Sequence, residues 1–266
     1  MLLVFLLLSF FQKSLDAVED KICCSYASTC SQELTWYGTF QVGYAYSYTS
    51  YLFNPDPLTW DKALEGYAAS LGGAPFLKMG FGASVLRYLD VDVSYTYYQN
   101  FHYEKHQTGS ETTPNFSGYM RNRFFSLSHQ NVLLNATFCP KDRLYFSFWD
   151  LETSFFVGMG IGCGLSRVLP FYTVGYQQGV GSVANAGIKV NTASFAWQGT
   201  CGLRIHPRSS CCSLDVGYMF YDGGPYQVGK ELSVNDTKLQ GNLKAARPLR
   251  GYLKTNQLTI SFQYLF

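Results

Sequence analysis

Charge is scarce in this chain: Asp, Glu, Lys and Arg make up 14% of its 266 residues, where a soluble domain carries about 25%. The net charge of +2 and the lack of any Lys/Arg block remove the electrostatic footprint of a nucleic-acid binder, so no nucleic-acid partner is expected. Beyond its first residues the chain has no apolar run near the roughly 20 residues of a spanning helix. No two of the eight cysteines stand as Cys-x-x-Cys, so zinc and thioredoxin-type chemistry lack their spacing. What is abundant is ring and glycine: 21 Tyr, 21 Phe and 25 Gly.

Residues 2–11 (LLVFLLLSFF) form an apolar run of signal-peptide length, followed at once by polar residues 13–21. The expected division is a signal peptide over 1–17, cleaved after Ala17, a periplasmic N-terminal segment over 18–34 carrying Cys23, Cys24 and Cys30, and a folded body over 35–266. Lipoprotein processing at Cys23 or Cys24 is disfavoured, because Asp20, Lys21 and Ile22 are not the small residues it requires.

The body alternates with period two, the signature of strands. Over 35–48, Phe40, Val42, Tyr44, Tyr46 and Tyr48 share one face against Thr39, Gln41, Gly43, Ala45 and Ser47. The same pattern recurs over 76–86, 89–101, 124–138, 153–165, 194–208, 213–221 and 252–266, giving eight strands. The face opposite the large apolar residues is small and polar, which suits a cramped interior better than bulk water. Connections alternate too: long after the odd strands (49–75, 102–122, 166–193, 222–251), shorter after the even ones (87–88, 139–152, 209–212). A bilayer requires every backbone N–H and C=O to be paired, so strands cross it only as a closed barrel. These features predict an all-β fold: an eight-stranded antiparallel transmembrane up-and-down β-barrel with short periplasmic turns and long extracellular loops. A ten-stranded count stays open, because 144–149 and 172–177 also have strand character.

Several segments resemble the small bacterial outer-membrane β-barrels of the OmpA/OmpX and opacity-protein type. Gln130-Asn131-Val132-Leu133-Leu134-Asn135 followed by Phe155-Phe156-Val157-Gly158-Met159-Gly160-Ile161-Gly162 is similar to that family's Asn-rich strand and its Pro-Tyr-Val-Gly-x-Gly-x-Gly strand, with Phe155 in place of Pro. Phe195 to Gly202 and Leu214 to Phe220 are similar to its sixth and seventh strands. The stretch 258–266, ending on Phe266, resembles the signal read by the barrel-assembly machinery. The resemblance implies a bacterial outer-membrane location and roles ranging over adhesion, host-surface interaction, serum resistance and envelope integrity. The implied partners are outer-membrane lipid and lipopolysaccharide, the assembly machinery and a host surface ligand.

Functional candidates are few. The run Gly158 to Gly164 (GMGIGCG) misses the dinucleotide fingerprint in register and sits inside a strand, so no cofactor is expected. Lys78, Asp90, Asp92, His129, Arg204 and Asp215 fall on the inner face. Buried charges persist when paired, so an ion-pair network is predicted, Arg204 with Asp215 first, plugging the barrel rather than lining a pore. No enzyme activity is expected. The alternatives are an outer-membrane lipid-modifying hydrolase, using His129 with Ser126 or Ser128, or His102 and His106 with Glu104, and a narrow pore. Cys23, Cys24, Cys30, Cys139, Cys211 and Cys212 all fall on the periplasmic side. They serve either as links to neighbouring envelope proteins or as internal disulfides. Cys163 and Cys201 face lipid, as fillers or as a cross-strand pair. The basic fourth loop, with Lys230, Lys238, Lys244, Arg247 and Arg250, is either solvated or in touch with acidic headgroups.

Overall fold

A computed structural model describes residues 34–49, 71–86, 88–107, 120–140, 151–169, 172–177, 180–185, 189–207, 211–228 and 250–266. The strands are β1 (Thr35–Thr49), β2 (Gly73–Leu86), β3 (Leu89–Gln107), β4 (Met120–Phe138), β5 (Leu151–Val168), β6 (Tyr172–Gln177), β7 (Val180–Asn185), β8 (Val190–Pro207), β9 (Cys212–Gln227) and β10 (Arg250–Leu265). Eight of them close antiparallel in the cycle β1-β2-β3-β4-β5-β8-β9-β10 and back to β1. Closure leaves no edge among these staves, which is the condition for crossing hydrocarbon.

The register fixes the barrel's dimensions. Stepping across it from Thr35 to Ser84, Asp90, Thr137, Gly158, Thr200, Met219, Gln257 and back to Ala45 returns to β1 ten residues higher (45 − 35). A shear of ten over eight strands, with spacings of about 3.3 and 4.8 Å, gives a tilt of about 41° and a Cα radius of about 8 Å. An interior that narrow is filled by side chains.

Strands β6 and β7 are not extra staves. The edge of β4 that bonds β5 up to the Leu127–Val168 pair is taken over by β6 from the Phe124–Tyr172 pair onward. β6 and β7 pair with each other and carry the β5–β8 hairpin above the rim. Residues 166–193, expected as a loop, therefore contain a β-hairpin, and the strand character of 172–177 belongs to it; 144–149 lies outside the described residues. The staves also run further than the alternation suggests. β3 and β4 have 19 residues each, and β9, which reads as short in the sequence, has 16.

Outward faces carry the large apolar side chains: Phe40 and Tyr44 on β1, Met79 and Phe81 on β2, Val132 and Leu134 on β4, Leu258 and Ile260 on β10, all exposed. Rings gather at the periplasmic end, where Trp36 stacks on Phe81 at 5.4 Å and Phe81 meets Phe266 at 6.3 Å. Tyr44, Tyr46, Tyr97, Trp197 and Tyr252 are exposed toward the other end. An outward apolar band between aromatic girdles matches lipid and its two interfaces.

Higher still, the pattern inverts. On β4, Val132, Leu134 and Phe138 face out, but Phe125 and Leu127 are buried inside while Ser126 and Ser128 face out. On β3, Tyr98 faces inward in phase with Ser94 and Thr96, and a register shift between Tyr98 and Phe101 turns Phe101 and Tyr103 inward as well, leaving His102 exposed. On β9 a matching irregularity opposite Leu253 and Lys254 uses Gly224 at φ 74°, a left-handed conformation in which a side chain would be strained. It brings Tyr226 and Val228 inside. The upper barrel therefore encloses an apolar core that includes Leu71, Phe101, Leu127, Tyr226 and Leu253.

Candidate functional site: a lumen filled in two tiers

The periplasmic half of the lumen is polar. Arg204 on β8 points inward opposite Asp215 on β9. Its Nε and Nη2 donate to the two carboxylate oxygens of Asp215 at 2.8 and 2.9 Å, while Nη1 donates to Asp90 on β3 at 2.8 Å. Ser84 donates to the other oxygen of Asp90 at 2.6 Å. The guanidinium also lies 5.8 Å from the centre of the Phe156 ring. A bidentate fork and a third strand tied by the same cation give the pairing geometry that a buried charge needs.

A second polar group sits beside it. Asn135 donates to Asp92 at 2.7 Å and to Ser94 at 2.8 Å, and accepts from Gln198 at 2.7 Å. Lys78 is buried and lines, with Asp92, Gln41 and Arg204, a cavity of about 60 Å³. That volume is enough for about four waters. Glycines of β5 make this interior possible: a Cβ at Gly160 would collide with Asn135, and one at Gly164 would lie 2.8 Å from the His129 ring.

His129 belongs to the other tier. Its Nδ1 lies 2.9 Å from Ser166 Oγ and its Nε2 2.6 Å from Tyr221 OH. Tyr98 stacks on Tyr221 at 5.6 Å and packs against Phe76 at 5.3 Å and Phe101 at 5.9 Å. Tyr103 stacks on Phe125 at 4.5 Å, which meets Tyr226 at 6.2 Å. Of the six inner-face residues named from the sequence, Arg204 joins Asp90 and Asp215, Lys78 and Asp92 line the cavity together with Arg204 and Asp215, and His129 is part of an aromatic plug. Tyr98 and Phe101 went unnamed at the sequence level; the signal was an aromatic on the small-residue face for Tyr98 and one put out of phase by a bulge for Phe101.

The hydrolase pairing does not form, because His129 points into the lumen while Ser126 and Ser128 face out. His102 does meet Ser126, through Nδ1 at 3.0 Å, an exposed cross-strand hydrogen bond. Side chains at Glu104 and His106 lie outside the described residues. Cys139, Cys163 and Cys201 are free thiols. Register places Cys163 opposite Phe195 and Cys201 opposite Val157, six residues apart along the ladder or about 20 Å, so the cross-strand pair is excluded and both remain lipid-facing fillers. Cys139 is buried, 3.2 Å from Ser154 Oγ; Cys212 is buried and Cys211 half-buried. Cys23, Cys24 and Cys30 lie outside the described residues.

Closure, shear, the outward apolar band and the filled lumen define the class: a membrane-spanning eight-stranded β-barrel of the outer-membrane type. No family model and no curated protein matches the chain. Among solved structures it is similar to neisserial surface protein A (12% identity, 88% of this chain and 99% of that one, TM-score 0.38). It is also similar to Ail, the attachment invasion locus protein of Yersinia pestis (11%, 86% and 98%, 0.37), and to OprG from Pseudomonas aeruginosa (10%, 88% and 97%, 0.48).

Proposed function

We propose that the protein is a surface-exposed outer-membrane barrel with a structural or surface-interaction role, acting through what it holds outside the membrane. The observation that carries this reading is the filled lumen: an Arg204-centred ion-pair tier below and the Tyr98–Tyr221–Phe101 plug above. A rigid, plugged cylinder serves to hold loops in place, and β3, β4 and the β6–β7 hairpin rise beyond the apolar band. Lipopolysaccharide and a host surface ligand are the partners this placement would meet, and the assembly machinery would insert it. Disulfide linkage to the envelope is a further part of the proposal. It rests on Cys211, half-buried at the periplasmic rim, with Cys23, Cys24 and Cys30 as the remaining candidates.

Two measurements test the reading. Protease added to intact cells is expected to cut within 50–70 or 229–249 and leave a heat-modifiable core, and the purified protein is expected to give no discrete current steps in planar bilayers. Regular single-channel steps would overturn it in favour of a pore. For the disulfide part, a high-mass ladder on non-reducing gels that collapses with reductant is expected; a monomer unaffected by reductant would remove it.

A further inference from the structure

Between Glu152 and Asp215 the chain passes through β5, β6, β7 and β8 without one Asp or Glu, yet carries Arg167, Lys189, Arg204 and Arg208. Arg204 is used inside the lumen. Arg167 and Lys189 are exposed. Arg167 pairs in register with Asn191 on β8 and Ser128 on β4, and Lys189 precedes Asn191 by two residues. Among the described outward side chains of β4, β5 and β8 there is no carboxylate. The adjoining β9–β10 wall differs: there Lys254 is already neutralised by Asp222 at 3.6 Å.

Position along the strand decides what such a pair of cations would meet. Arg167 is the next outward residue above Leu165, the last of the exposed apolar row Val157, Met159, Ile161, Cys163 and Leu165. On β8 the outward side chains change from Trp197 and Phe195 through Ala193 to Asn191. The wall also has a notch: Gly199 faces out opposite Met159, and a Cβ there would touch nothing within 4 Å. A soluble polyanion would use only the cations, whereas a phosphorylated lipid would use cations, notch and apolar row together.

Resting on the outer-membrane reading above, we propose that the upper end of the β5–β8 wall is a docking site for a phosphorylated lipid headgroup of the outer leaflet. Arg167 and Lys189 bind the phosphate, Asn191 and Ser128 supply neutral hydrogen bonds, and the acyl chains lie over Leu165 and the Gly199 notch.

The test uses the full chain in detergent micelles and native mass spectrometry with bisphosphorylated lipid A as the probe. Arg167→Gln with Lys189→Gln is expected to weaken retention about thirtyfold, two interfacial cations being lost. Arg167→Lys with Lys189→Arg is expected to retain most of the binding, and Arg250→Gln with Lys254→Gln on β10 to leave it unchanged. Equal retention by the first double variant would overturn the proposal, as would an equal loss from the β10 pair. Displacement of the lipid by inorganic phosphate at matching concentration would reduce the site to a phosphate site and overturn the lipid assignment. Heat-modifiable migration, run on every variant, reports separately whether the barrel itself has folded.

Discussion

The lower and upper halves of the same staves are built on opposite rules. Around Val132 and Leu134 the apolar side chains look outward and the inner face holds Asn135 and Arg204; around Phe125 and Leu127 the apolar side chains look inward and Ser126 and Ser128 look out. Backbone pairing continues through the change, so hydrogen bonding does not distinguish the halves. The solvent does. Where lipid surrounds the barrel, burial gives no premium to an apolar interior, and polar groups are satisfied inside by one another; where water surrounds it, the ordinary hydrophobic effect returns and the lumen becomes a core. The two bulged positions, at Tyr98–Phe101 and at Gly223–Gly224, lie near the change and shift the phase of β3 and β9 there.

The comparison can be broken most severely from below. Arg204→Leu would leave Asp90 and Asp215 buried without their cation, an expected loss of about 3–5 kcal/mol, read as a fall in the urea midpoint of the barrel in detergent. An unchanged midpoint would mean that the lower tier is not a paired, dehydrated site. From above, Phe101→Ala is expected to cost about 3 kcal/mol as an ordinary core truncation, in the same titration; a negligible cost would deny the upper lumen its status as a packed core. Outward charges test the boundary itself. Val132→Arg is expected to destabilise by about 2–4 kcal/mol in vesicles and Ser126→Arg by about 0–1 kcal/mol, and equal effects would erase the proposed membrane edge. A small effect is expected from Tyr221→Phe, which removes one hydrogen bond to His129 and is worth about 1 kcal/mol in the same unfolding assay.

How much of this is legible in the sequence follows from the same two rules. Every stave is readable where it crosses lipid, since Phe40 to Tyr48 or Phe155 to Leu165 alternate without interruption. Reading is lost at the tops of β3 and β9 because the phase shifts there, which puts Phe101, Tyr103 and Tyr226 on the wrong face for a lipid-facing pattern; on β4 the phase holds, but the polarity of the two faces swaps at Phe125 and Leu127. The Arg204–Asp215 contact follows from two strands joined by a short turn. The contact to Asp90 does not, since β3 and β8 are far apart in sequence and meet only across the lumen of the closed barrel. His129 illustrates a different gap: its face is predictable from alternation, but its partners Ser166 and Tyr221 come from strands 37 and 92 residues away.

The inversion also sets a waterline. Sinking the barrel by one outward position would drag Ser128, Arg167 and Asn191 into hydrocarbon, and raising it by one would lift Leu165 and Tyr97 into water. Each move is opposed on several staves at once, so the depth at which the cylinder floats, and hence how far its hairpins stand clear of the surface, is written into the strands themselves.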